Sequence, residues 1–286
     1  MAGLSTALSS GKDVKLSSSF TVNSSLTIPA DKEVTIDLNG KTITAETEIP
    51  FLVSEGATLN VKNGTIDSKA DAIKVVGNNV TINIGEDVTI KSENNTCIWV
   101  NDDEGQQNIT INIAGNLESK STSDAAVYVS GNLNNGKEVT MNITGGTIVS
   151  KNSTAVYFPA DGNLTISGGE LIGKENAVEY RGTGLLKITG GKFKTTADTF
   201  IKGANSNGTT IEGAAVAVSP HNGRTPRVKI TGGNFIANNP TNCYAFWEGP
   251  ENTGTAVGTV NVSDWTTTGL VHSSQNPSIC TDNSNH

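Results

Sequence analysis

The side chains best suited to surface chemistry are four aromatics that recur at like places in short apolar segments. Trp99 lies in Cys97-Ile-Trp-Val100, Tyr128 in Ala126-Val-Tyr-Val129, Tyr157 in Ala155-Val-Tyr-Phe158 and Tyr180 in Ala177-Val-Glu-Tyr180. Stacked as strands, these segments align the four rings into a ladder. Turned outward, such a ladder offers flat ring faces to the apolar faces of sugars. Turned inward, it is core. The pattern of Ala155-Val-Tyr-Phe158 admits both parities, and the general tendency of apolar rings toward burial favours the core. A second group, Tyr244-Ala-Phe-Trp-Glu248 with Trp265, is expected to pack beneath a cap.

Few other residues are spaced for reaction. His221, His272 and His286 share no motif, and His221 sits in Ser219-Pro-His-Asn-Gly-Arg-Thr-Pro226, a turn-forming stretch that reads as a solvated loop. No Ser/His/Asp constellation and no phosphate-cradling glycine loop of the required spacing is found. Cys97, Cys243 and Cys280 form an odd set without a CxxC pair or a histidine at ligand spacing, so no zinc site is expected. They read as free or buried thiols, with a Cys243–Cys280 bridge tying down the C-terminal tail as the alternative in oxidising surroundings. The expectation is therefore no catalytic residue, no metal and no cofactor.

The elements that must position the aromatic rings are set by an internal repeat. Four copies are open: Met141-Asn-Ile-Thr-Gly-Gly-Thr-Ile148, Leu164-Thr-Ile-Ser-Gly-Gly-Glu-Leu171, Leu186-Lys-Ile-Thr-Gly-Gly-Lys-Phe193 and Val228-Lys-Ile-Thr-Gly-Gly-Asn-Phe235. Looser copies begin at Val34, Leu59, Val80 and Ile109, and a degenerate one is Val260-Asn-Val-Ser-Asp-Trp265. The turn glycines (Gly40, Gly64, Gly85, Gly115, Gly145, Gly168, Gly190, Gly232) are spaced 24, 21, 30, 30, 23, 22 and 42 residues apart. The period is about 22 residues. The 30-residue gaps suggest loop insertions, and the last suggests a further degenerate coil around Thr209–Val218.

Each copy has a two-residue alternation, a glycine bend that residues with a Cβ resist, and a second short apolar strand. The aromatic segments supply a third. Three strands and three turns per period make one coil of a parallel β-helix, in which stacking joins inward Ile, Val and Leu into one core. The expected fold is all-β: a single-stranded right-handed parallel β-helix solenoid of about nine or ten coils, roughly 45 Å long at strand spacing. Residues 1–27 are expected to form an N-terminal cap or attachment segment with a short helix at Gly3–Leu8, residues 28–265 the β-helix, and residues 266–286 a C-terminal cap or tail. Such caps cover the unpaired strand edges at the two ends.

Composition agrees. Gly is abundant at 31 residues, Met is rare at two, and the hydrophobic fraction of 35% suits a thin core column with much surface. The net charge of −8 and the scatter of the only arginines, Arg181, Arg224 and Arg227, argue against nucleic acid as a partner. No apolar run approaches a membrane-spanning length, so no membrane insertion is expected.

With its repeated Ile-Thr/Ser-Gly-Gly-x-apolar coil and the opening Ile36-Asp-Leu-Asn-Gly-Lys-Thr-Ile43, the chain resembles the pectate-lyase-like β-helix superfamily over residues 28–265. Within it, the chain is most similar to virion proteins of gut bacteriophages and surface proteins of gut bacteria. The resemblance speaks for fold and leaves activity open, because such solenoids serve as lyases, adhesins, tailspikes and capsid fibres. Superfamily hydrolases carry an Asn-Thr-Asp motif, an Asp-Asp pair, a Gly-His-Gly and an Arg-Ile-Lys on one face. Here only Asp102-Asp103-Glu104 and Arg227-Val-Lys229 correspond; the first reads as a solvated acidic loop and the second as an ordinary start of a repeat strand. A lyase needs a cationic base beside a calcium-binding acidic cluster, and Arg181 is better explained as a surface ion pair with Glu179 or a neighbouring coil. The nonapeptide of calcium-bound solenoids is missing.

The expectation is thus a non-enzymatic structural or adhesive protein. The opening Met1-Ala-Gly-Leu-Ser-Thr-Ala-Leu8 does not read as a secretory leader, which favours a phage virion component: a capsid decoration, head fibre or tail-associated fibre. Its partners would be capsid or tail proteins bound through the N-terminal segment, host-surface or mucosal glycans, and in some fibres two further copies of itself in a trimer. The alternative is a secreted surface adhesin, or a polysaccharide lyase or hydrolase, outside the cell or on its surface.

Overall fold

The computed structural model describes residues 2–100, 107–130, 138–203, 211–220, 224–249 and 258–282. Asp102, Asp103, Glu104, His221 and His286 lie outside them. The described residues form a parallel β-helix solenoid of ten coils with three strand faces. The third face is a continuous ten-stranded parallel sheet running from Leu26–Ile28 to Leu270–Ser273. The first two faces join into one 18-stranded sheet because Glu33–Ala45 and Thr58–Ser68 run unbroken through the bend between them.

The register explains the repeat. Ile84, Ile113, Ile143, Ile166, Ile188 and Ile230 stand one above another on the first face, all buried. The alternate positions face out, where Asn60, Asn83, Asn112 and Asn142 form a ladder. In it Asn83 donates to Asn60 at 2.6 Å, Asn112 to Asn83 at 2.7 Å and Asn142 to Asn112 at 2.8 Å. In-register stacking of identical amides lets each side chain satisfy the next.

The two glycines of a bend serve different needs, except at Gly145, where the first has room for a Cβ. The second adopts a left-handed conformation, as at Gly146 with φ 72°, while the first permits close approach of backbone, as at Gly168, where a Cβ would lie 2.5 Å from the Thr144 carbonyl oxygen. Arg227 and Lys229 are exposed and pair in register with Leu185 and Lys187, which makes them ordinary repeat-strand positions.

Besides the third-face residues described below, the chain departs from the sequence-based expectation at three places. Among the described residues, the 42-residue gap holds no second coil. Gly184–Ile188 pairs directly with Pro226–Ile230, and Lys192–Thr195 with Asn234–Ala237. The extra residues instead form an excursion in which Ile201–Lys202 and Ile211–Glu212 pair antiparallel, after which Ala214–Val218 rejoins the third face. Coiling also extends past 28–265 at both ends. Val14–Lys15 and Phe20–Val22 already pair with Glu33–Ala45, Leu26–Ile28 pairs with Phe51–Val53, and Leu270–Ser273 is the last third-face strand. The helix Ala2–Ser9 precedes the first coil and buries Leu8 in the core. Third, Arg181 is not at the surface, as described below.

Candidate binding face

On the third face the inward positions are apolar except Glu248 and Ser273 on the last two coils, and the outward positions form one rank. Successive in-register partners along it are Thr27, Leu52, Lys74, Trp99, Tyr128, Tyr157, Glu179, Ala217, Trp247 and His272. Three of the four expected ladder residues, Trp99, Tyr128 and Tyr157, therefore do stack on neighbouring coils, and against the expectation that they belong to the core they point away from it.

Tyr180 does not belong to the ladder. It pairs in register with Phe158, is fully buried, and stacks on that ring at 5.5 Å between centroids. Its hydroxyl donates to the Gly162 carbonyl at 2.7 Å, and burial raises its pKa. Glu179 holds the ladder position instead. In Ala177-Val-Glu-Tyr180 the aromatic comes one residue later than in Ala155-Val-Tyr-Phe158, and a single step along a strand reverses the face.

The rank is exposed only in part. Leu52, Lys74, Trp99 and Tyr128 are half-buried and accessible from outside. The Lys74 ammonium lies 4.1 Å from the centroid of the Trp99 ring, a cation–π contact that holds the ring face. The Tyr128 and Tyr157 rings are 5.3 Å apart and tilted by 46°.

From Tyr157 onward the rank is covered. Tyr157 is 4% exposed and Glu179 fully buried. Arg181, expected at the surface, is buried over them. Its Nη1 donates to the Tyr157 hydroxyl at 2.9 Å, its Nε donates to the Ser219 carbonyl at 3.0 Å, and the same Nε stands 3.8 Å from Glu179 Oε1. The Ser219 hydroxyl donates to Glu179 Oε1 at 2.7 Å. Next to this network Arg224 donates to the Pro159 carbonyl and lies 3.4 Å from Asp161. Burial raises the Tyr157 pKa, against the opposing pull of Arg181, and burial likewise lowers that of Arg224. Charges this deep are retained only when paired and hydrogen-bonded. Further along, the antiparallel excursion lays Ile211 and Phe200 over Ala217 and Trp247.

The Tyr244–Glu248 strand divides likewise. Phe246 packs inward with Trp265, at 5.6 Å between centroids, as expected of a cap-packing group. Trp247 points outward and stacks on His272, at 6.0 Å and 18°. Glu248 is buried and gathers the start of the tail, accepting from the Ser273 hydroxyl at 2.7 Å, the Ser274 hydroxyl at 2.8 Å and the Gln275 amide at 3.0 Å.

All three thiols are free. Cys97 is fully buried and its pKa raised by that burial. Cys243 sits in a small apolar cluster with Ala197 and Ala237, and its Sγ–H donates to the Ala197 carbonyl at 3.5 Å. Cys280 lies elsewhere, where the tail returns to the last coil. There its Sγ is within 4.8 Å of ligand atoms of His272 and Asp282. No sequence signal found this grouping, because His-x7-Cys-x-Asp matches no ordinary ligand spacing.

Compared with known proteins, the chain matches no family model, no curated protein and no solved structure.

Proposed function

We propose that the chain is a non-enzymatic β-helical binding module that holds surface glycans on the half-exposed run Leu52, Lys74, Trp99 and Tyr128. The observation that carries this reading is the in-register exposure of an indole and a phenol on adjacent coils, with a lysine over the indole. Rings held at coil spacing on a rigid sheet present stacking faces at little ordering cost, and an ammonium beside them suits hydroxyl-rich or acidic sugars. Repeated weak contacts of this kind give useful avidity when many copies share one particle or surface. The setting we propose, from the resemblance of the repeat, is a phage particle, with a bacterial surface as the alternative.

The test is binding of the full chain to an array of bacterial and mucosal glycans, followed by titration of the best ligand. Trp99→Ala is expected to weaken binding about tenfold, equivalent to roughly 1.4 kcal/mol, and Tyr128→Ala comparably. Tyr180→Phe, altered in the core, is expected to leave affinity unchanged. Equal binding by Trp99→Ala and the native chain would overturn the site. Release of reducing or unsaturated ends from any bound glycan would overturn the non-enzymatic reading.

A further inference from the structure

The last coil carries a side-chain cluster that takes no part in the aromatic run. His272 stands on the outward rank of Leu270–Ser273. Beyond this strand the chain makes the short 3-10 turn Pro277–Ile279 and comes back alongside it. The return is fixed by two hydrogen bonds: the Thr281 amide donates to the Val271 carbonyl at 2.9 Å, and the Val271 amide donates to the Thr281 hydroxyl at 2.9 Å. Cys280 begins an extended stretch, with φ −67° and ψ 139°. Residues two apart in extended chain share a side, so Cys280 and Asp282 reach toward His272 together.

The ligand atoms of the three side chains all lie within 4.8 Å of one another, and His272 Nδ1 is 3.0 Å from Asp282 Oδ2. Around a tetrahedral ion with bonds of about 2.0–2.3 Å, ligand atoms stand roughly 3.3–3.7 Å apart. Closing the cluster on an ion therefore asks for side-chain adjustment of about 1 Å at the widest pair.

An independent observation points to a ligand here. The Asp282 side chain is 7% exposed, and its Oδ1 is buried without a hydrogen-bond partner among the described residues. A carboxylate oxygen so placed costs stability unless something positive meets it. The surroundings also resemble an outer shell that orients ligands. The Tyr244 hydroxyl donates to Asp282 Oδ2 at 3.1 Å, the Ser273 amide donates to Cys280 Sγ at 3.2 Å, and Trp247 stacks on the imidazole. The Cys280 thiol in turn donates to the Ser273 carbonyl at 3.5 Å, so the backbone of Ser273 fixes the position of the sulfur.

We propose that His272, Cys280 and Asp282 form a binding site for a divalent, borderline-soft cation of the zinc class. One thiolate, one imidazole and one carboxylate suit zinc better than calcium or magnesium, which take oxygen ligands. Three protein ligands leave a fourth position for water. The ion's role is structural: it fastens the returning stretch Cys280–Asp282 to the strand Leu270–Ser273.

The test uses the full chain, stripped with a chelator, desalted, and supplied with zinc. One zinc ion per chain is expected to survive a second desalting, and the melting temperature to rise with zinc. Cys280→Ser and Asp282→Asn are each expected to weaken zinc binding at least about tenfold, by analogy with the loss of ligand support. Cys243→Ser, altered in a different cluster, is expected to bind as the native chain does. Cobalt in place of zinc is expected to give tetrahedral visible bands with a thiolate charge-transfer band, the latter lost in Cys280→Ser. Failure of the native chain to retain zinc overturns the proposal, as does retention unchanged in both Cys280→Ser and Asp282→Asn. Should Cys280→Ser fail to fold by circular dichroism, the cobalt spectrum of the native chain and the Asp282→Asn titration decide.

Discussion

Alanine at two adjacent glycines of one bend is expected to act in opposite directions. At Gly145 the backbone is outside the left-handed region, and an added Cβ would meet nothing nearer than the Ala114 carbonyl oxygen at 3.4 Å, an ordinary contact. Gly145→Ala then acts chiefly by restricting the unfolded chain, a gain of about 0.4–1 kcal/mol. Gly146 has φ 72°, and a Cβ there would stand 1.9 Å from the Gly115 carbonyl oxygen and 2.5 Å from its carbon. The left-handed conformation alone costs alanine about 1–2 kcal/mol.

The clash adds to this, because its partner is backbone of the coil beneath and cannot rotate aside. Relieving it means parting two coils that the Thr147 amide, donating to Asn116 Oδ1 at 2.9 Å, holds together, or stretching the Glu170 amide bond to the Gly146 carbonyl, also 2.9 Å. Gly146→Ala is expected to cost about 3 kcal/mol or more, in the range of strained backbone sites. Neighbouring coils of a solenoid stabilise one another, and opening is local before it is global. Hydrogen exchange read on peptides spanning Val139–Ile143, Thr147–Ser150 and Glu170–Gly173 is therefore the assay, with urea midpoints beside it. Faster exchange confined to these coils in Gly146→Ala, and unchanged or slower exchange in Gly145→Ala, is the expected pair. Equal loss of protection in both variants would refute the assignment of different roles to the two glycines.

Asn112→Ala removes a donor to Asn83 and an acceptor for Asn142, and is expected to cost about 1–2 kcal/mol for two partly buried hydrogen bonds, read as a lower urea midpoint. Arg181→Met takes the guanidinium from beside the buried Glu179 and is expected to cost about 3–5 kcal/mol, whereas a surface ion pair would cost less than about 1. Tyr157 and Tyr180 have pKa values raised above 10.0 by burial, so the stability they lend is complete below that value and is lost as pH climbs through their higher folded values. Their ionisation should accompany alkaline unfolding rather than precede it, and Tyr180→Phe should remove one phenol from that cooperative absorbance step.

The coil was legible because its signals are local. Alternation in Leu164-x-Ile166, the Gly-Gly bend and the 22-residue spacing all lie within one period and agree with one another. The place of Tyr180 is also written in the sequence: aligning on Ala-Val sets Glu179, not Tyr180, beside Tyr157, and the one-residue shift turns the ring inward. The 42-residue gap is different. Thr209–Val218 has the alternation of a coil, and periodicity alone does not reveal that Ile211 pairs backward with Ile201. The depth of Arg181 and the meeting of His272 with Cys280 and Asp282 depend on where the chain returns, and spacing in the sequence carries no record of that.

These features bear on how a regular solenoid acquires a particular site. Trp99 and Trp247 both stand on the outward side of the third-face rank, so their place on the strand alone does not distinguish them. Cover does. Trp247 lies under the excursion with Ile211 and Phe200, whereas Trp99 and Tyr128 stay half-exposed. Between them stands Glu179, which ends the aromatic run one coil after covering begins at Tyr157 and, through Ser219 and Arg181, anchors the segments that cover it. Replacing a ring by a carboxylate at that one register position does two things at once. It removes a stacking face, and it supplies the buried negative charge that balances the Arg181 guanidinium 3.8 Å away. The boundary of the proposed binding face and the stability of its cover therefore rest on the same residue.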